Sequence, residues 1–433
     1  MKLSVAFGII LSLFPLIAFG NVVSTEYEMA VNAPDICYNE SLVFKHFNSL
    51  TIKRNSIISP AIRCITIENK DVTIDEGAFD MVPNLQCLDL RGNYISPQNL
   101  FSFGSLPNVK ILMLGSQNKQ QSRYTYQPWD RKVTIENVYP ELQYLDLSNI
   151  GIEEMRSTST NPFPKLTHLD LSKNGIGVKH IDFLPNTLTH LDISGNRNCL
   201  LSLKDASNLL SLAVNNIADL RAERYFNGFR FLNLSQLRNL SLVDNNMYTI
   251  GDRVFEGMSS LRYLNLSNNF FEIVPACIKY LNLTMLSLAR NNITDLTTYS
   301  FSNLVYLREL FLSENMIAGV HVNTFQNLSL LEALYLDNNR LTNLPTGWCD
   351  SMTKLRYLDL SGNKFVTLES AIYSSQLPIE ELYFERNPLL YFNAHTLRIV
   401  PENMTIYLNI SLESKVQRSE LVKETTCDYT EDD

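Results

Sequence analysis

The sequence predicts an α/β solenoid, a stack of short coils sharing one parallel sheet. Three observations carry this. A block of about 24 residues recurs along the 433-residue chain, and the five starts from Leu283 to Ile379 are each 24 residues apart. Within a block, leucines recur at positions one, four and six. An Asn follows at position nine, as in "LRYLDLSGN" from Leu355 to Asn363. A period of this length marks units that cannot bury their own apolar edge and so must stack.

Each position has a physical reason. Side chains alternate along a strand, so Leu358 and Leu360 point inward while Tyr357 and Asp359 point to the opposite face. Asn363 turns the chain out of the strand, and its buried amide needs backbone partners from the neighbouring coil. A buried aromatic follows ten residues later at Phe103, Phe255, Phe301, Phe325 and Tyr373. About 14 copies start at Ile62 (degenerate), Leu85, Val109, Leu142, Leu166, Leu188, Leu209, Leu237, Leu261, Leu283, Leu307, Leu331, Leu355 and Ile379. The regularity fails in the middle. The step from Val109 to Leu142 is 33 residues and that from Leu209 to Leu237 is 28. In the copies at Leu142 and Leu209 the Asn comes one residue early, at Asn149 and Asn216, which predicts distorted local curvature.

The repeat resembles the extracellular leucine-rich repeat family in its 24-residue form, over about Ile62 to Ser411. The opening "IRCITIENKDVTIDEGAFDMVPNLQCLDLRGN" is similar to soluble insect leucine-rich repeat proteins and Toll-receptor ectodomains. The resemblance implies a horseshoe with a concave parallel sheet and a convex side of irregular or short helical segments.

The ends set the expected domain plan. Lys2 followed by "LSVAFGIILSLFPLIAFG" has the pattern of a secretory signal peptide over residues 1–20, short of a membrane span and broken by Pro15. An N-terminal cap is expected over 21–61, the solenoid over 62–411 and a polar tail over 412–433. The tail contains neither a span nor a glycolipid-anchor signal, so the expectation is a secreted, extracellular product. Nine Asn-x-Ser/Thr sites agree: Asn39, Asn233, Asn239, Asn265, Asn282, Asn292, Asn327, Asn403 and Asn409. The formal charge of −9 argues against a nucleic-acid partner.

Seven cysteines leave at least one without an internal partner. Family resemblance and position favour a Cys37–Cys64 bridge. Cys87 competes for Cys64, because both occupy position three of adjacent strands. Cys277 and Cys349 take the place of the buried aromatic and are expected to stay reduced. Cys427, in the polar tail, is expected to bridge to another chain, which would give a disulfide-linked dimer, or to fold back onto a cysteine in the solenoid.

No phosphate loop, serine elbow or zinc-protease motif is present, and no cofactor is implied, so the expected function is recognition and not catalysis. The concave face supplies the best candidates: Tyr263, Phe311, Tyr335, Tyr357 and Tyr383 at outward positions, with Glu309 and Glu381 between them. Rigid aromatics bury much area at low entropy cost. They are also good strand residues, which is the structural alternative. A sugar on Asn265, at outward position five, would divide this face.

The insertion "GSQNKQQSRYTYQPWDRKVTIENVYPE" adds Arg123, Tyr126, Trp129 and Lys132 as loop contacts, suited to an anionic glycolipid or polysaccharide. His168 stacked on His190, beside Asp146, Asp170 and Asp192, is either a metal or pH-sensitive site or ordinary repeat filler. Two functions follow: a soluble innate-immune recognition protein binding microbial glycoconjugates or partner proteins, or an extracellular adhesion or developmental protein.

Overall fold

The computed structural model describes residues 41–45, 49–68, 71–117, 130–177, 184–197, 207–217, 234–372, 378–390, 400 and 404–408. They form a solenoid with almost no helix. Sixteen strands pair in parallel in chain order, from Ser41–Lys45 to Thr405–Tyr407. Most are three residues long and occupy positions three to five of the repeat, as in Tyr357–Asp359. Register is copied from coil to coil: Leu334 pairs with Leu358, and Leu358 with Leu382. The sheet is therefore longer than the copies read from sequence. It begins with Ser41–Lys45, inside the segment expected to be a cap, and gains a last strand at Thr405–Tyr407.

Behind the sheet runs one continuous core of the inward leucines, closed on the far side by Phe103, Phe163, Phe301, Phe325 and Trp348. Where the chain turns back, three short parallel pairs form, among them Lys132–Ile135 with Glu154–Ser157. Short 3-10 turns occur at Pro97–Asn99 and Ala276–Tyr280.

Position nine carries a ladder of buried amides. Asn363 donates to the carbonyls of Leu336 (2.9 Å) and Leu360 (3.0 Å), and its Oδ1 accepts from Leu341 N (3.0 Å). One side chain thus satisfies backbone groups of two coils. The early asparagines stand one position short of this rung. Position eight is left-handed in every described coil from Gly92 (φ 73°) to Arg386 (φ 55°), and Asn149 (φ 53°) and Asn216 (φ 49°) occupy it, where Asn is tolerated. The ladder position in those two copies holds Ile150 and Ile217, both buried and without an amide to offer. In the copy at Val109 the rung is Gln117. It donates to Leu90 O and Leu114 O and accepts from the amides of Asn93 and Ile95.

Candidate binding face

Outward positions three and five of the last five strands build a row of aromatic rings. Phe311 stacks on Tyr335 with centroids 4.4 Å apart and planes within 8°. Tyr335 meets Tyr357 at 4.8 Å, and Tyr357 meets Tyr383 at 5.1 Å. Tyr383 stacks on Tyr407 at 4.3 Å and 12°. Strands of a sheet lie about 4.8 Å apart, which is also close to ring-stacking distance, so rings on successive strands meet without adjustment. The row is not straight. Tyr357 stands at position three and its neighbours at position five, so it crosses the register to reach both.

The structure therefore brings together four of the five predicted aromatics and adds Tyr407. Tyr263 stands apart: the strand Met285–Ser287 separates its strand from Glu309–Phe311.

Carboxylates surround the row. Glu309, Asp337, Asp359 and Glu381 all act electrostatically on Tyr335, whose hydroxyl is pushed up to about 12, first by burial. Burial likewise raises Tyr357 and Tyr383. Asp359 is pushed up to about 6 by burial, against hydrogen bonds from Ser361 N (2.9 Å) and Oγ (2.6 Å). Glu309 is raised by burial and by Glu332. Tyr383 donates to Glu381 (3.2 Å), and Asn338 donates to Asp337 (2.6 Å). The nearby arginines are engaged at the edge where the strands begin, in the pairs Arg308–Glu332 and Arg356–Glu380. A cleft of about 580 Å³ on that edge is lined by Glu332, Lys354, Arg356 and Glu380.

The first half of the face is different. His168 and His190 stack, and each Nδ1 lies within 2.9 Å of a neighbouring threonine hydroxyl. Burial lowers both, His168 to about 4, so both rings are neutral. Asp146, Asp170 and Asp192 each accept from the amide two residues on, closing the turn after the strand. Burial raises all three. No group of three metal-ligating side chains occurs among the described residues. Nearer the start, Cys64, Cys87, Ile111, Met113 and Tyr144 form a small buried apolar cluster on this face.

Cys64 is disulfide-bonded, and Cys87, its register neighbour, is free, which sets aside a Cys64–Cys87 bridge. Cys277 and Cys349 are buried free thiols, pushed up to about 12 by burial. Lys132 lies in a strand away from the concave face, with its Nζ 3.5 Å from Glu154. Of the glycosylation sites, Asn282 is exposed, whereas Asn239, Asn265 and Asn292 are half-buried. Asn265 Oδ1 accepts from Ser267, and Asn327 donates to Ser302 O. The signal peptide, Cys37, Asn39, Arg123, Tyr126, Trp129, Cys199, Asn233, Asn403, Asn409, Cys427 and the tail lie outside the described residues. No helix among the described residues is long and apolar enough to cross a membrane.

Leucine rich repeat family patterns match residues 235–288, 281–341, 306–365 and 329–389, with further matches at 164–179 and 84–106. No curated protein matches the chain. Among solved structures, the TLR13–ssRNA13 complex is similar at TM-score 0.55 and 21% identity, over 81% of this chain and 58% of that one. A leucine-rich repeat protein of Leptospira interrogans aligns at TM-score 0.53 and 21% identity, over 80% of this chain and 90% of its own. The Drosophila Toll–Spatzle complex in its glycosylated form aligns at TM-score 0.55 and 19% identity, over 86% of this chain and 55% of that one. The chain thus spans somewhat more than half the length of the two Toll-like chains.

Proposed function

This chain is a leucine-rich repeat protein with a Toll-like solenoid, and we propose that it is a secreted recognition protein that holds a protein ligand on its concave face. The observation that carries the reading is the unbroken row of rings from Phe311 to Tyr407 on an outward sheet surface. Half-buried aromatics on a rigid scaffold are the usual anchors of a protein interface. An anionic polysaccharide suits this place poorly, because four carboxylates flank the rings. The solved Toll complex is described as a hub in development and innate immunity. Our reading gives this chain the immune role, with microbial challenge raising its expression. Constant, tissue-restricted expression would favour the developmental alternative.

The test is capture. Immobilised protein, wild type and Tyr335→Ala/Tyr357→Ala/Tyr383→Ala, is exposed to extracellular fluid and to microbial surface fractions. Each anchor lost is expected to cost about 1–3 kcal/mol of binding. A folded triple variant that retains the same partner at the same affinity would overturn the reading.

A further inference from the structure

Among the described residues, none of the carboxylates around the rings is held in an ion pair. Every hydrogen-bond partner that the side chains of Glu381, Asp337 and Asp359 show is a hydroxyl or an amide. Arg308 and Arg356 are spent on Glu332 and Glu380 at the strand-entry edge, and Arg290 on Glu314. Arg386 acts electrostatically on Asp359 without pairing with it. The face therefore offers four carboxylates against one guanidinium, interleaved with five rings stacked along the strands. Half-buried carboxylates pay for their lost hydration unless a positive charge arrives.

We propose that this row receives a cationic segment of the protein ligand, a stretch carrying several Arg or Lys side chains laid across the strands from Phe311 to Tyr407. The inference rests on the reading of this face as the binding site and adds the chemistry of what binds. A guanidinium can donate to these carboxylates while its apolar stem lies along the row of rings. Here carboxylates and rings alternate: Glu309 beside Phe311, Asp359 in register with Tyr335 and Tyr383, and Glu381 in register with Tyr357. Charge complementarity also steers the approach of such a segment and makes binding sensitive to salt.

The probe is the synthetic peptide (Arg-Gly)4, with its Glu counterpart as control, titrated calorimetrically into the full chain. The Arg peptide is expected to bind and the Glu peptide not. Glu309→Gln/Asp337→Asn/Glu381→Gln should weaken binding about tenfold or more, and Tyr357→Ala should weaken it independently. A control variant neutralising three exposed carboxylates elsewhere, Asp71→Asn/Asp75→Asn/Glu256→Gln, should bind as wild type does. Equal weakening in both triple variants, or no binding of the Arg peptide, overturns the inference. If the face carboxylates prove irrelevant while capture of a natural partner still needs Tyr357 and Tyr383, the binding face stands and only its cationic chemistry falls.

Discussion

The imidazole of His168 lies flat on that of His190, with centroids 4.1 Å apart and planes within 8°. Two charged rings could not stack this closely, and burial together with the neighbour holds His168 at about 4, below its ordinary 6.5. The folded chain therefore binds fewer protons than the unfolded chain between those values. The stability this group contributes is present above pH 6.5 and is lost as pH falls toward 4. Partial exposure screens the effect to about 1 kcal/mol. Urea unfolding at pH 7.5 and 5 checks it: His168→Phe should lose less stability on acidification than wild type.

Asp359 behaves in the opposite sense. Its folded value of about 6 lies above the ordinary 3.8, so its favourable contribution exists below that ordinary value and disappears as pH rises through 6. Asp359→Asn keeps an oxygen to accept from Ser361 N and removes the charge. The variant should be more stable than wild type at pH 7.5, by about 1 kcal/mol after screening, and equal to it near pH 4. Chemical denaturation at both pH values measures the difference.

The two roles of asparagine can be separated by substitution. Asn363→Ala leaves the buried Leu341 amide without its acceptor and takes one of two side-chain donors from each of Leu336 O and Leu360 O, which should cost about 2 kcal/mol or more. Asn216→Ala only places a less tolerant residue in a left-handed turn, at about 1 kcal/mol. Thermal unfolding of both variants should show a large loss for the first and a small one for the second.

Gly115 occupies position seven, where Ser stands in several copies. A Cβ there would sit 2.6 Å from Asp146 Oδ1 and 2.7 Å from Ser148 Oγ, so the absent side chain is what lets the Asp146 carboxyl lie down. Gly115→Ser should destabilise by about 1–3 kcal/mol. Adding Asp146→Ala should recover much of that loss, which a double-mutant cycle would show as coupling between the two sites.

The solenoid and most of the aromatic row were legible because period and alternation decide them. The rest was hidden for specific reasons. Tyr407 belongs to a coil that places Asn403 and Ile406 where leucines usually stand, so the pattern does not extend to it. Gln117 does the work of an asparagine with one more methylene, which a search for Asn passes over. Asn149 and Asn216 mislead in the other direction, since a turn that needs φ above zero also selects Asn. Asp337 lies past the strand at position seven, so alternation alone does not place it among the outward groups. The stacking of Tyr357 with rings at a different repeat position depends on side-chain reach across the register, which spacing along the chain does not encode.

The interrupted amide ladder also bears on how the molecule comes apart. Each rung ties its coil to the one before, and Ile150 and Ile217 supply no tie. The stack is therefore a line of nearest-neighbour couplings with two weak links, and local opening should arrest there before crossing from one segment to the next. The segment beyond Ile217 has rungs from Asn245 to Asn387 without a break, and it is the one that carries the rings. Its amides should exchange with solvent last, so that partial melting of the first coils leaves the recognition surface assembled.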